Sequence, residues 1–355
     1  MSKPLIFITG GTGFIGSHVA LALLNAGYRV RLSIRDPKQE AVLRARYNDF
    51  DGSVEISLIP DLSKQEYFDT ALKDVDHVFH LASPLPAPSG DLKKDYIDPA
   101  VNGTLAVLRA ASAYPQIKKV VVMSSVLGIT PVLDMFVYKD ITWNGTYNPR
   151  RILEKTNKKL KPYAENSREV IPVDTSVVYP DDLFGGAKKY STSKIMAHQA
   201  TRDFLKNENP HYNLITLHPS FVMGESLIQE TAEQISGMNA YFLISLASKQ
   251  PLLGTGWVHV LDVADAHVKI LQTDLQTGTE IILCRPVIAW EDVASFVRSK
   301  YPDLPVNLEP PFPGKWTINN DIAEKSLGIQ WRSMETIVQD VLDQQLALQT
   351  NAAAA

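Results

Sequence analysis

The sequence predicts an α/β protein: a doubly wound parallel sheet carrying a smaller, mainly C-terminal lobe. Three observations predict it. Short apolar runs alternate with helix-spaced segments from Pro4 onward, the rhythm of parallel strands joined by helical crossovers. The first run leads directly into Thr9-Gly10-Gly11-Thr12-Gly13-Phe14-Ile15-Gly16, a glycine-rich turn between a strand and a helix. Farther along, Tyr190 and Lys194 stand four residues apart, a spacing that sets both on one face of a helix.

Taken in order, Pro4 to Thr9 reads as the first strand, and Ser17 to Asn25 as a helix closed by Gly27. Arg29 to Ile34 is the second strand, Val54 to Ile59 the third, and Val75 to Leu81 the fourth, followed by a proline-rich loop from Ser83 to Gly90. Asn102 to Ala113 has the apolar spacing of a helix, and Lys119 to Met123 is a fifth strand running into Ser124-Ser125. From 130 to 187 the period breaks, and we read an excursion near the mouth of the site. Leu214 to Leu217 forms a sixth strand ending at His218-Pro219-Ser220; a mostly helical stretch from about Ser226 to Ser248, a core return at Trp257 to Leu261 and a helix over Val263 to Leu271 follow. Glu280 to Cys284, Trp290 to Lys300 and the prolines around Pro310 to Pro313 are assigned to the smaller lobe. The expected division is 1–222 plus 257–275 for the nucleotide-binding domain, 223–256 plus 276–348 for the substrate lobe, and 349–355 for a tail.

Bulk properties exclude several classes. A formal net charge of −4 with interspersed acid and base gives no electrostatic reason for a nucleic-acid partner. The basic run Lys155 to Lys161 reads best as a solvated face. A single cysteine, Cys284, cannot form an intramolecular disulfide, and no apolar stretch has the length and purity of a membrane span. A cytoplasmic protein without a membrane partner, monomeric or homodimeric, is expected, which leaves the sequon Asn144-Gly145-Thr146 unused.

The glycine loop carries the cofactor reading. Gly10, Gly13 and Gly16 supply a tight turn, close backbone approach to a pyrophosphate, and close packing of helix on strand, while the helix N-terminus offers free N–H groups to phosphate. In a strand-helix-strand unit this is the Rossmann arrangement, with Thr9, Phe14 and Ile15 in the same turn. The end of the second strand chooses the cofactor, because an acid there accepts from the ribose hydroxyl of NAD, whereas arginine grips the 2'-phosphate of NADP. Here Ile34 cannot accept a hydrogen bond and Arg35 can hold a phosphate, with Lys38 nearby, so NADPH is expected; Asp36 as the ribose acceptor is the competing reading. Asp61-Leu62 is placed for the adenine, although a turn aspartate explains it nearly as well. Leu81-Ala82-Ser83 would run beside the cofactor, Asn102 would tether that loop, and Pro219 and Ser220 would border the nicotinamide.

A tyrosine beside an ammonium can serve as a general acid for a carbonyl oxygen. Lys194 is expected to favour the phenolate of Tyr190 and to hold the ribose, and a hydroxyl of the Ser124-Ser125 pair can donate to the oxygen that becomes negative as hydride arrives.

At these residues the chain resembles the extended short-chain dehydrogenase/reductase family. The motifs are the glycine loop, Asp61-Leu62, Phe79-His80-Leu81-Ala82-Ser83-Pro84, Asn102-Gly103-Thr104, Ser124-Ser125, Tyr190-Ser191-Thr192-Ser193-Lys194, His218-Pro219-Ser220 and Val258-His259-Val260-Leu261-Asp262-Val263-Ala264. Gly27-Tyr28-Arg29-Val30-Arg31 and Ile34-Arg35-Asp36-Pro37 look like the dihydroflavonol-reductase-like branch, which includes microbial NADPH-dependent aldehyde and ketone reductases. The resemblance implies a catalytic triad of Ser125, Tyr190 and Lys194, with Ser124 structural. The stretch from Ser125 to Tyr190 is longer than expected for the branch, and Lys188 to Lys194 lacks the Tyr-Cys-Tyr-Gly-Lys type of run that goes with cinnamoyl-CoA reductases.

His80, His259 and His267 lack zinc-type spacing and are read as core or supporting histidines, so no metal is expected. Trp143, Tyr147, Tyr163, Phe184, Met223, Met238, Tyr241 and Phe242 either line an apolar pocket or form ordinary core. The expected function is reduction of an apolar or aromatic ketone or aldehyde by NADPH. A nucleotide-sugar epimerase or dehydratase with tightly bound NAD, and an NADP-sensing binding protein without turnover, are the alternatives.

Overall fold

Side-chain alternation along the strands decides how the sheet is covered. In Leu5–Thr9 (β1), Leu5 and Phe7 point into one core while Ile6 and Ile8 point into the other. Lys119–Met123 (β5) does the same with Val120 and Val122 against Val121. Strands buried on both faces suit a parallel sheet packed between two helical layers. The computed structural model, which describes residues 3–50, 52–84, 89–130, 163–166, 170–286, 288–312 and 318–354, has that arrangement.

The remaining strands of the main sheet are Arg29–Ile34 (β2), Val54–Leu58 (β3), His77–His80 (β4), Asn213–Pro219 (β7) and Thr279–Leu283 (β10). All pairs are parallel, in the order β10-β7-β5-β4-β1-β2-β3. The chain runs outward from β1 to β3, then returns to place β4 on the other side of β1. That reversal opens a crevice at the carboxyl ends of β1 and β4, where ligands bind in sheets of this kind. Phe14–Asn25 (α1) packs with Val260–Gln272 (α7) on one face; Asp98–Ser112 (α4) packs with Leu183–Glu208 (α5) on the other.

A third core builds the smaller lobe. Phe221–Met223 (β8) pairs with Trp257–His259 (β9), and Gly237–Ala247 (α6), Trp290–Lys300 (α8) and Met334–Ala354 (α9) surround them. Trp257 and Trp290, both fully buried, meet edge to face at 5.2 Å, with Phe242 5.7 Å from Trp257. Aromatic pairs in this geometry add about 0.5–1.5 kcal/mol beyond area burial.

The structure corrects several boundaries. Thr279–Leu283 is an outer strand of the main sheet, so the division at 275 falls too early. Its buried Ile281-Ile282-Leu283 run has the continuous apolarity of a strand covered on both faces. The 226–248 stretch is helical only in α6 and a short turn at Ala232–Gln234. The assigned tail at 349–355 is, through Ala354, the end of α9. The excursion ends sooner than expected, since Leu183 to Ala187 already belong to α5. Gln39–Arg46 (α2) and α9 were not anticipated. The α4 helix starts at Asp98 because Pro99 fits a first turn, where its missing N–H costs nothing. Trp143, Tyr147, the sequon at Asn144, the basic run from Lys155 and most of the 130–187 excursion lie outside the described residues, as does the Tyr163 side chain. Among the described residues, no helix is long and apolar enough to cross a membrane.

Candidate active site and cofactor cleft

An open cleft of about 2290 Å³ runs along the carboxyl ends of the strands. Gly10, Gly13, Phe14, Ile15 and Gly16 form one end. The loop is drawn tight by Gly13 N–H donating to Gly10 O at 3.1 Å, with Gly10 at φ +78°. A Cβ on Gly16 would lie 2.0 Å from Gly10 O, and one on Gly10 would lie 2.7 Å from the Ala82 nitrogen. Side chains are thus excluded where the loops after β1 and β4 touch. No side chain caps the N-terminus of α1, which leaves its first amides and positive dipole end available to an anion.

Thr9 departs from its expected role as a cofactor contact. It is fully buried and off the cleft wall. Its hydroxyl accepts from Ala82 N–H at 3.2 Å and lies 2.8 Å from His80 Nδ1, while His80 Nε2 lies 3.4 Å from Thr104 Oγ1. The Thr104 hydroxyl donates to Ala100 O, so it accepts from His80 Nε2–H, and Thr9 must donate to the bare Nδ1. Burial holds the ring neutral, with its pKa pushed down to about 3. His80 therefore clamps β1, β4 and α4 together beneath the cleft.

At the end of β2, Ser33, Arg35 and Gln39 face the cleft, whereas Lys38, Asp36 and Ile34 do not. Lys38 is exposed, and its N–H donates to Asp36 Oδ1 at 2.9 Å. That local turn draws the Asp36 carboxylate into the backbone and turns Lys38 aside. Gln39, which the sequence reading missed, accepts from Arg35 N–H at 2.9 Å and Asp36 N–H at 3.2 Å through one oxygen. It fixes the main chain of Arg35 and leaves the exposed guanidinium to reach a phosphate. Asp61 and Leu62 also line the cleft, and Asp61 Oδ1 is held by the N–H and hydroxyl of Ser63 at 2.9 and 2.7 Å. Leu81, Ala82, Ser83, Pro219 and Ser220 lie on the cleft wall, and Asn102 is an exposed residue of the same wall.

Ser125, Tyr190 and Lys194 line the same cleft. Asp182 caps α5 by accepting from Gly185 N–H at 2.6 Å, and a Cβ on Gly185 would strike Pro180 O at 1.8 Å; the helix that presents Tyr190 thus starts at a defined point. Ser191 Oγ donates to Leu127 O at 3.4 Å, fastening that helix to the turn after Ser125. Ser125 Oγ accepts from Leu127 N–H at 3.1 Å. With a lone pair used there, its O–H is available to donate into the cleft. Ser124 Oγ is buried without a hydrogen-bond partner among the described residues.

The ionisation of the pair differs from the expectation that Lys194 lowers the Tyr190 pKa. Lys194 Nζ lies 5.5 Å from the centre of the Tyr190 ring, where an ion pair at effective dielectric 20 is worth about 3 kcal/mol. Removing a phenolate from water costs up to roughly 4–7 kcal/mol, and the Tyr190 ring is partly buried, packed on the Val126-Leu127 cluster. Burial wins: it raises the Tyr190 phenol and pulls the Lys194 ammonium down to about 8. At neutral pH the tyrosine holds a proton to give and the lysine is still charged to receive the resulting phenolate.

Phe184, Met238 and Tyr241 line the cleft as apolar wall, while Met223 and Phe242 are core of the smaller lobe. His259 caps α7 by accepting from Leu261 N–H and sits 2.8 Å from Asp340; His267 packs on Phe79 at 5.1 Å. Sequence reasoning missed a buried group behind Ser125. The donor atoms of His198, His218 and Glu280 lie within 4.8 Å of one another. Both Glu280 oxygens accept from Arg202, at 2.6 and 2.7 Å, so the carboxylate is already neutralised.

Residues 6–284 match the model of the NAD dependent epimerase/dehydratase family. Ketoreductase sphI of Aspergillus fumigatus is 33% identical over 355 residues, spanning 98% of this chain and 98% of that protein. The NADPH-dependent methylglyoxal reductase GRE2 of Saccharomyces cerevisiae is 26% identical, over 96% of this chain and 97% of its own. The structure of yeast methylglyoxal/isovaleraldehyde reductase Gre2 complexed with NADPH has the same fold, with TM-score 0.79 at 23% identity, covering 98% of this chain and 99% of that one. UDP-glucose 4-epimerase from Bifidobacterium longum, in complex with NAD+ and UDP, follows at TM-score 0.63 and 20% identity, covering 97% and 98%. The family match runs from β1 to the end of β10 and so takes in every strand of the main sheet; on that extent the chain belongs to the NAD dependent epimerase/dehydratase family, among the extended short-chain dehydrogenases/reductases of the dihydroflavonol-reductase-like branch.

Proposed function

We propose that this NADP-dependent oxidoreductase is a carbonyl reductase, converting an apolar or aromatic ketone or aldehyde to the alcohol. The observation that carries the reading is that Ser125, Tyr190 and Lys194 line the same cleft as the glycine cradle and Arg35. The cradle fits a dinucleotide: Gly10 and Gly16 let the loops pack main chain against main chain, where a Cβ would lie 2.7 and 2.0 Å from backbone atoms, and the uncapped N-terminus of α1 beside them can meet a pyrophosphate. Arg35 would hold the 2'-phosphate, and Lys194 the nicotinamide ribose. Bound NADPH supplies the hydride.

The chain's own residues do the rest. Ser125 donates its O–H to the carbonyl oxygen and stabilises the negative charge that develops there. Tyr190, kept protonated by burial, delivers its proton to that oxygen. Lys194 remains an ammonium below about pH 8 and stabilises the phenolate left behind. Phe184, Met238 and Tyr241 give the pocket an apolar wall. The names of the ketoreductase and methylglyoxal reductase relatives support the same reaction class.

The family description and the fold of the UDP-glucose epimerase favour a second reading, a nucleotide-sugar enzyme that keeps NAD bound. Ile34 and Arg35 at the end of β2 weigh against it, because no acid there faces a ribose. Two measurements separate the readings. NADPH oxidation by a panel of aryl ketones and aldehydes should be rapid in the wild type and lost in Tyr190→Phe; absence of turnover in the wild type, or an unaffected Tyr190→Phe, sinks the reductase. Protein that purifies with stoichiometric NAD supports the epimerase, and NADPH binding without any carbonyl turnover supports a sensor.

A further inference from the structure

The cluster behind Ser125 has a geometry that points to the catalytic serine rather than to a cation. His218 is fully buried. Its Nδ1 lies 3.0 Å from Ser125 O and its Nε2 lies 3.0 Å from Thr216 Oγ1. A carbonyl oxygen only accepts, so Nδ1 must carry the proton. The neutral ring then has a bare Nε2, to which the Thr216 hydroxyl donates. Burial keeps it neutral, with a pKa pushed down to about 3. One tautomer alone satisfies both contacts; the Ser125 carbonyl selects it, and the Thr216 hydroxyl donates to the nitrogen left bare.

The ring is walled in by the helix that bears the proton donor. Tyr190, Lys194, His198 and Arg202 recur every four residues along α5 and share one face. The His198 ring meets His218 edge to face at 4.6 Å. His198 Nε2 lies 3.2 Å from Glu280 Oε1, off the line of a hydrogen bond, and Arg202 grips Glu280 from the next turn. Both nitrogens of His218 are thus engaged by Ser125 and Thr216, and both oxygens of Glu280 by Arg202. Ser125 O also accepts from Gly128 N–H at 2.8 Å.

We propose that His218 is a positioning residue: through its Nδ1–H it fixes the main chain of Ser125, so that the Ser125 hydroxyl is registered against Tyr190 by contacts that trace back to the same helix. The proposal rests on the carbonyl-reductase reading. Thr216 acts one step farther out by donating to Nε2 and holding the ring in place.

The test uses His218→Leu, His218→Asn and Thr216→Val, with NADPH affinity followed by cofactor fluorescence and turnover by NADPH oxidation with an aryl ketone. His218→Leu should lower kcat by on the order of 10- to 100-fold while KM for NADPH stays unchanged, the scale expected for a displaced oxyanion donor. His218→Asn places an amide nitrogen where Nδ1 stood and should restore most of the loss. Thr216→Val should show a smaller loss. In the free protein, amide exchange at Leu127 and Gly128 should accelerate in His218→Leu and not in His218→Asn. Unchanged kcat in His218→Leu, or no recovery in a folded His218→Asn that binds NADPH, overturns the proposal. Unchanged amide exchange overturns it as well, with or without a known substrate. Failure of the wild type to reduce any carbonyl counts against the reductase reading instead.

Discussion

The two ends of the cleft are built on opposite principles. At the glycine end the working groups are main-chain amides, and the residues around them matter by having no side chain: a Cβ on Gly16 or Gly10 meets backbone. At the Tyr190 end the working groups are side-chain atoms, held in place by contacts from other elements. Asp182 sets the start of α5, Ser191 ties it to Leu127, and His218 holds the carbonyl of Ser125. The first end should be intolerant of added bulk, and its dependence on charge should rest on Arg35. The second should be intolerant of lost hydroxyls and sensitive to ionisation.

Substitutions can break that contrast, and the largest effect belongs to the side-chain end. Tyr190→Phe removes the proton donor and should lower kcat by roughly 10²- to 10⁴-fold, with NADPH affinity intact in a fluorescence titration. Gly16→Ala should do the reverse, losing NADPH binding and about 3 kcal/mol of stability, since the intruding atom faces rigid backbone; wild-type affinity in that variant would remove the main-chain account. Arg35→Ala should weaken NADPH by on the order of tenfold or more, as loss of a charged hydrogen bond does, and leave NADH nearly unchanged. Equal losses for both cofactors would instead favour Asp36 as the ribose partner.

Ionisation sharpens the comparison further. Lys194 gives up its proton near pH 8 in the folded chain and at the ordinary lysine value of 10.5 when unfolded. Below pH 8 both states are charged and the buried ammonium costs its full penalty, so Lys194→Met should raise the melting temperature at pH 7, by on the order of 2 kcal/mol of stability, while activity falls. Between about 8 and 10.5 the unfolded chain holds more protons and stability of the wild type rises with pH, which narrows its gap to the variant. The smallest expected effect is on the rate profile: kcat/KM should decline as pH rises through about 8, and a flat profile to pH 9.5 would mean that the ammonium is not required.

What the sequence disclosed follows the same contrast. The strand, glycine loop and helix are contiguous, so their geometry is written in the single run from Leu5 to Asn25. Tyr190 and Lys194 are equally local. The partners that make the chemistry work are not. Thr9 looked like a cofactor contact because of its place in the motif, yet it is spent on Ala82 and His80, which arrive from another strand. Lys38 is drawn aside by a turn that Asp36 nucleates, and Gln39 has no signature that marks it as a loop anchor. His218 was visible only as the start of His218-Pro219-Ser220; its value lies in Ser125 and Thr216, one on a different strand. The stretch at 280–284 was given to the smaller lobe although it is an outer strand of the main sheet, because periodicity reports burial and not neighbours.

That strand has a consequence for how the molecule behaves in company. β10 ends the main sheet, and its outward N–H groups at Glu280 and Ile282 are met by the side chains of Asn166 and Glu165, at 2.7 and 3.0 Å. Asn166 sits at φ +55°, a conformation that asparagine tolerates better than most residues. An open row of donors on an edge strand is a template on which a second chain can add a strand. Here two oxygen-bearing side chains fill the row with contacts that cannot propagate, so the short segment at 163–166 works as a stopper against sheet-to-sheet growth. Double substitution of Glu165 and Asn166 by alanine should leave the chemistry at Tyr190 in place and appear as concentration-dependent association of the folded protein.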